Sequence, residues 1–298
     1  MSDTPGPDYL QRYDRMAVRA SHRVISTYST SFSLASRLLG ASVRSDICNL
    51  YAMVRIADEI VDGTLESAGA DSAECARCLD EYEAAVLAAP AQRFHVDPVL
   101  HAYALSARRC DFDPDHIRAF FASMRRDLNQ SSYDQSGFNA YVYGSAEVIG
   151  LLCLQAFLAD HPVTEQQRER LEAGARSLGS AFQKINFLRD LHEDAEVLQR
   201  SYFPGIDVVS LSEADKGRLV ADIRAELDHA RSVIPILPGA ACSGVLAAAN
   251  LFSELTDRID ATPASVLIRT RISVPGHVKV AIVAKAAIAS PRLKEETP

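Results

Sequence analysis

Apolar residues recur every three or four positions along most of this chain, and strict alternation is almost absent. That period predicts helices rather than strands. Expected helices run from about Tyr9 to Tyr28, Ser45 to Asp62, Ser72 to Ala88, Pro98 to Cys110 and Pro114 to Gln130. Later ones run from about Phe138 to Leu158, Glu165 to His192, Ser212 to Ser232, Gly244 to Asp260 and His277 to Ala289. Several starts carry capping chemistry: Asp113-Pro114, Thr164-Glu165 and Ser212-Glu213-Ala214-Asp215. No repeat or low-complexity block stands out and connections are short, so the expectation is one helical domain over residues 1–298. About ten residues at each end are expected to be flexible.

Composition narrows the picture. A chain of 298 residues, 48% hydrophobic, can bury a core and still enclose an apolar cavity. The net charge of -8 argues against a nucleic-acid partner, which needs a basic face. It does not argue against a diphosphate ligand, because bridging divalent cations reverse the local sign. The N-terminus lacks an apolar signal core, so the six cysteines are expected reduced in a cytoplasmic setting. Cys75 and Cys78 form a lone C-x-x-C without the second pair a zinc site wants. The longest uncharged run, Ser232 to Ser253, is interrupted by Pro235, Pro238, Gly239 and Gly244. It reads as a buried helix of small residues after Gly239, not as a membrane span.

Two helices carry chemistry. In Tyr51-Ala-Met-Val-Arg55-Ile-Ala-Asp58-Glu59-Ile-Val-Asp62, the apolar stripe is Ile47, Val54 and Val61. Asp58 and Asp62 fall beside it, four residues apart and on one face. Two inward carboxylates repel and resist desolvation, so something positive should compensate them. Magnesium suits carboxylate oxygens and keeps water and phosphate as its other ligands. In the second helix Gly179, Gln183, Asn186, Asp190 and Asp194 line one face among Phe, Ile and Leu. Such a polar stripe suits a helix lining a metal- and water-filled cavity, and Gly179 admits a ligand or another helix. Either aspartate pair alone is more often a solvated face than a site, among 39 acidic residues. Repetition changes that: both pairs have spacing four, apolar neighbours and an Arg just upstream, Arg55 and Arg189.

These segments resemble the phytoene and squalene synthase family. The likeness starts at Tyr28-Ser-Thr-Ser31-Phe32-Ser-Leu-Ala-Ser-Arg37-Leu-Leu and continues through Leu50 to Asp62. It recurs at Tyr141-Val-Tyr143-Gly-Ser-Ala-Glu147-Val-Ile-Gly150. The most specific match is Gln183-Lys-Ile-Asn186-Phe-Leu-Arg189-Asp190-Leu-His-Glu193-Asp194, followed by Arg200-Ser-Tyr202-Phe-Pro204. Matches run in order from about residue 22 to 204, with weaker ones at Arg271 and Lys279. Glu147 departs from the family, which commonly has Gly there, and His192 stands where a small residue is common.

The resemblance implies an all-α, single-domain isoprenoid-synthase helical bundle around a central cavity. Asp58 and Asp62 would hold Mg2+ or Mn2+ on one wall, and Asn186, Asp190 and Asp194 on the other. Arg55, Gln183, Arg189, Arg200 and Tyr202 would seat diphosphates and orient metal ligands. Ser31, Phe32, Tyr51, Tyr141 and Tyr143 would line the upper pocket. Tunnel walls are expected from Ala146, Ile149, Gly150, Cys153 and Leu154, and from Leu246, Ala249 and Asn250. The implied reaction joins two geranylgeranyl diphosphates head to head, through a cyclopropyl diphosphate (prephytoene diphosphate), to 15-cis-phytoene.

Alternatives stay open: a C30 synthase acting on farnesyl diphosphate, a non-enzymatic assembly factor and a terpene cyclase. Retention of all four aspartates disfavours the assembly factor. The paired D-x-x-x-D motifs with Gln183 and Asn186 disfavour the cyclase. No nicotinamide cofactor is expected. A C40 hydrocarbon must leave into lipid, so a cytoplasmic protein in transient contact with the membrane surface is expected.

Overall fold

The computed structural model describes residues 8–192, 201–206 and 210–295. The helices are α1 (Tyr9–Tyr28), α2 (Thr30–Ser36), α3 (Ala41–Val61), α4 (Thr64–Ser67), α5 (Ser72–Ala88), α6 (Pro98–Cys110) and α7 (Pro114–Asn129). They continue as α8 (Gln135–Val142), α9 (Val148–Leu158), α10 (Glu165–Arg189), α11 (Glu213–Val233), α12 (Gly239–Ala261), α13 (Ala264–Leu267) and α14 (Gly276–Glu295). Among the described residues there is no strand, only an isolated bridge between Ser132 and Ser201. The all-α expectation therefore holds.

Local chemistry places the breaks. Ser29 ends α1 and starts α2, its side chain accepting from the Phe32 N–H at 3.2 Å. That cap turns the chain and directs Phe32 inward. Thr164 and Gln167 close a capping box on α10. Asp97 and Asp113 each cap a helix that opens on Pro. α2 is too short to announce itself by periodicity and is absent from the expected helices. α14 runs six residues past its expected end, into the stretch read as a flexible tail. The N-terminal tail falls mostly outside the described residues.

Two apolar clusters flank the centre. One is built by α3, α5, α6, α7 and α9, the other largely by α8, α10, α11 and α12. Their facing surfaces leave a cavity between α3, α9, α10 and α12. A turn of π-helix, Tyr143–Glu147, joins α8 to α9, with the Val148 N–H reaching the Tyr143 carbonyl. π-turns insert a residue and frequently mark functional sites. α9 and α10 cross closely because two glycines allow it. A Cβ on Gly179 would sit 2.4 Å from the Ala146 carbonyl oxygen, and one on Gly150 would sit 2.4 Å from that of Ala175. The continuous stretch Gln135–Leu158 is long and apolar enough to cross a membrane, unlike the run weighed in the sequence. Most of its apolar window, 61%, is buried inside the molecule, which reads as a core helix.

Candidate functional site

A cavity of about 1030 Å³ runs down the centre. Its mouth carries Tyr28, Arg55, Asp58, Asp62, Asp190 and Arg271; its far end reaches Phe157, Leu171 and Leu237. From Leu171 to Asp190 it follows about 28 Å of α10, at 1.5 Å per residue. Charge is confined to the mouth and the deep walls are apolar.

One wall of the mouth is the end of α3. Asp62 is the C-cap, its N–H bonded to the Asp58 carbonyl at 2.8 Å. Asp58 lies one turn earlier and is 27% exposed. Burial in the cleft raises the Asp58 pKa well above its ordinary value; Asp62 adds to the rise, and so do Asp127 and Glu59, while Arg55 opposes it. The Arg55 guanidinium lies over the Tyr28 ring at 4.4 Å and is bonded to Glu59 through Nε at 2.8 Å, with Asp58 3.7 Å away. Burial works against the Arg55 charge, but Asp58 and Glu59 outweigh it and its pKa rises. Tyr51 is pushed up to about 12, chiefly by burial.

The opposite wall is the end of α10. Gln183, Asn186, Arg189 and Asp190 all line the cavity. The helix stops at Arg189 with Asp190 as its C-cap, instead of running to His192. Asp194 and Arg200 lie outside the described residues. Asp190 receives the Nε groups of Arg189 at 2.9 Å and of Arg271 at 2.8 Å. Lys279 of α14 completes this rim, donating to Thr30 Oγ1 at 2.5 Å. Burial lowers the Lys279 pKa, and Arg189 lowers it further. The mouth thus faces carboxylates on α3 with a carboxylate and three cations on the other side, an arrangement suited to a polyanion.

Sequence reasoning missed Asp127. It is 9% exposed on α7 and lines the cavity beside Tyr141 and Tyr202. The signal was present: Ile117, Phe120, Met124 and Asp127 follow one face, so an acid interrupts an apolar stripe. Two aromatic groups were also beyond reach. Phe187 stacks on Tyr202 at 3.9 Å near the mouth, and Phe182 on Phe252 at 3.8 Å deeper in, with Phe32 against both.

Ser31, Phe32, Tyr51, Ala146, Ile149 and Gly150 line the cavity, as do Cys153 and Leu154. Tyr143 does not. It lies about 200° round a helix from Tyr141 and instead supports the Arg176 guanidinium at 5.4 Å. Glu147 points the same way, paired with Arg176 at 2.7 Å, so its departure from the family does not reshape the cavity. On α12 the lining face is Val245, Ala248, Leu251, Phe252 and Leu255. Leu246, Ala249 and Asn250 sit one position round: Ala249 is buried in neighbouring core, and Asn250 accepts from Arg231 at 3.1 Å.

Among the described residues, no three His, Cys, Asp or Glu side chains converge into a closed metal cage. The donor chemistry of the mouth is nonetheless that of a hard cation: Asp58, Asp62 and Asp190, plus a buried Asn186 Oδ1 that has no hydrogen-bond partner among the described residues.

A family model described as squalene/phytoene synthase matches residues 25–277. This chain belongs to that family. The family is a group of prenyltransferase-type enzymes acting on prenyl diphosphates. The chain is 29% identical to a phytoene synthase of Mycobacterium tuberculosis over 92% of its own length and 91% of that protein. It is 26% identical to a bifunctional lycopene cyclase/phytoene synthase of Leptosphaeria maculans, over 82% of this chain and 47% of the other. It thus spans only about half of that fungal protein. A crystal structure of a dehydrosqualene synthase in complex with a ligand superposes with a TM-score of 0.79, covering 95% of this chain and 99% of that one at 20% identity. At that identity the superposition speaks for the fold.

Proposed function

We propose that this chain condenses two geranylgeranyl diphosphates head to head, through prephytoene diphosphate, to 15-cis-phytoene. The observation that carries the reading is the cavity itself. It has one charged end and then an apolar length of about 28 Å of helix. An amphiphile with a diphosphate head and a long hydrocarbon tail fits that division. The curated relatives named as phytoene synthases favour the C20 substrate over C15.

In this reading Asp58 and Asp62 would hold Mg2+ or Mn2+ together with Asn186 and Asp190 across the mouth, and Asp194 would join them. The bound cations would neutralise the charge of a departing diphosphate. Arg55, Arg189, Arg200 and Gln183 seat the diphosphates, joined by Arg271 and Lys279 from the C-terminal segment. Ionisation leaves an allylic cation that water would quench. The deep walls of Phe32, Ile149, Leu154 and Phe252 keep water out and hold the second chain's double bond close. Tyr51 and Tyr141 offer ring faces to the cation. No nicotinamide cofactor is invoked. The hydrocarbon product would leave from a cytoplasmic protein by transient contact with a membrane surface.

The test is a product assay on purified protein with magnesium and either geranylgeranyl or farnesyl diphosphate, without reductant. Phytoene from the C20 substrate, abolished by EDTA, is the expected result. A C30 hydrocarbon alone would keep the chemistry and overturn the chain length. No product from either substrate would overturn the enzymatic reading.

Chain length has a structural test. Ala146 and Ile149 both line the cavity wall, at the π-turn and the start of α9. Replacing either by Phe should narrow the tunnel and lower C20 relative to C15 turnover by about tenfold, a cost of roughly 1.4 kcal/mol in the transition state. An unchanged ratio in both variants would mean that the substrate chain does not pass this wall.

A further inference from the structure

The reading above leaves one buried charge without a task. Asp127 sits on α7, apart from both aspartate pairs, and is 9% exposed. Burying a carboxylate is expensive, and a well-packed apolar side chain would cost nothing. It also adds negative charge near Asp58, raising that carboxyl's pKa further. A residue kept only for packing has no reason to carry that burden.

Among the described residues, two phenols from separate stretches of chain reach it. Tyr141 Oη, from α8, donates to Asp127 Oδ2 at 2.9 Å. Tyr202 Oη, from the segment beyond α10, donates to Asp127 Oδ1 at 3.5 Å. The two rings lie 5.3 Å apart, with Tyr202 stacked on Phe187 at 12°. All three side chains line the cavity next to the charged mouth. Burial first, and then the Asp127 charge, raise the Tyr141 pKa well above 10. Tyr141 therefore stays a donor, and donation to a carboxylate leaves its oxygen and ring richer in electrons.

We propose that Asp127 is a positioning residue for the reaction. Its carboxylate fixes and polarises the Tyr141 and Tyr202 phenols, so that their electron-rich faces meet the allylic cation formed in the cavity. The effect is electrostatic and pre-set: the dipoles are aimed before charge develops, and no proton needs to move. This rests on the proposed prenyl-transfer chemistry and adds to it a residue outside the aspartate motifs.

The test combines Asp127→Asn, Tyr141→Phe and the double variant, assayed with geranylgeranyl and farnesyl diphosphate. Asn keeps the shape and one acceptor oxygen but removes the charge. Asp127→Asn is expected to lower kcat about 10²-fold, as loss of one preorganised electrostatic contact does. KM should stay within about threefold, and any change in Tm should be too small to account for the loss of kcat. In the Tyr141→Phe background the same substitution should cost less, since only the part of its effect that passes through Tyr202 remains. Asp127→Glu, which keeps the charge but moves it, should fall between. Wild-type kcat in Asp127→Asn would overturn the proposal; so would an equal loss in both backgrounds, or a loss of kcat that tracks a fall in Tm. A wild-type protein inactive on both substrates would instead sink the prenyl-transfer reading, and this role with it.

Discussion

Asp58→Asn should cut turnover by orders of magnitude and, in EDTA at neutral pH, raise the melting temperature. The two effects have one cause. Burial and the neighbouring Asp62 hold the Asp58 pKa well above its ordinary value. Folded protein therefore keeps a proton that the unfolded chain, with a pKa of about 3.9, has already lost. Where the folded state binds more protons, stability falls as pH rises. The cost of Asp58 is absent below about pH 4, grows through the window up to the raised pKa and is fully present above it. Asparagine removes that cost. A few degrees of Tm are expected at pH 7.5, since each kcal/mol corresponds to roughly 2–4 °C in a chain of this size class. Below about pH 4 no gain should remain. Activity should drop by roughly 10²–10³-fold or more, the scale of losing a preorganised electrostatic group. With magnesium and a diphosphate present, wild type should gain Tm and the variant should not. Melting curves across pH, with and without magnesium, decide the matter. A Tm gain of equal size at every pH, or none at neutral pH, would show that Asp58 is not held under electrostatic strain.

That trade of stability for charge also explains what could be read from the sequence. Asp58 and Asp62 were legible because spacing four and an adjacent apolar stripe fix which way they face. The Gln183–Asn186–Asp190 stripe was legible for the same reason. Periodicity is a property of one helix, however, and the rest of the site is made between helices. Tyr143 was misplaced because it was matched with Tyr141, although two residues along a helix point nearly opposite ways. The lining face of α12 is missed by one position because much of that helix is small residues, which blur its apolar phase. The Asp190 pairing with Arg271 joins positions far apart in the chain, and no local pattern announces it. Asp127 was readable in principle as an acid on the apolar face of α7, but only the fold shows what it touches.

Gly179 is the clearest case of a residue whose neighbour the sequence left open. It belongs to the polar stripe, and either a ligand or a helix would explain it. The structure puts the backbone of Ala146 there, with a would-be Cβ 2.4 Å from the Ala146 oxygen and 2.9 Å from its carbonyl carbon. Backbone cannot rotate away as a side chain does, so α10 must shift off the π-turn to admit even one methyl. Gly179→Val should therefore destabilise the protein by about 1–3 kcal/mol, the usual cost of overpacking. That corresponds to roughly 2–12 °C in Tm. Turnover should fall more than stability, because Gln183 and Asn186 lie on the same face within two turns and move with the helix. A control of opposite sign is Gly217→Ala on the exposed face of α11, where nothing lies within 4 Å. It should stabilise by about 0.5–1 kcal/mol through helix propensity alone and leave turnover unchanged. If Gly179→Val melts like wild type, the two helices do not touch here, and the glycine serves the ligand instead.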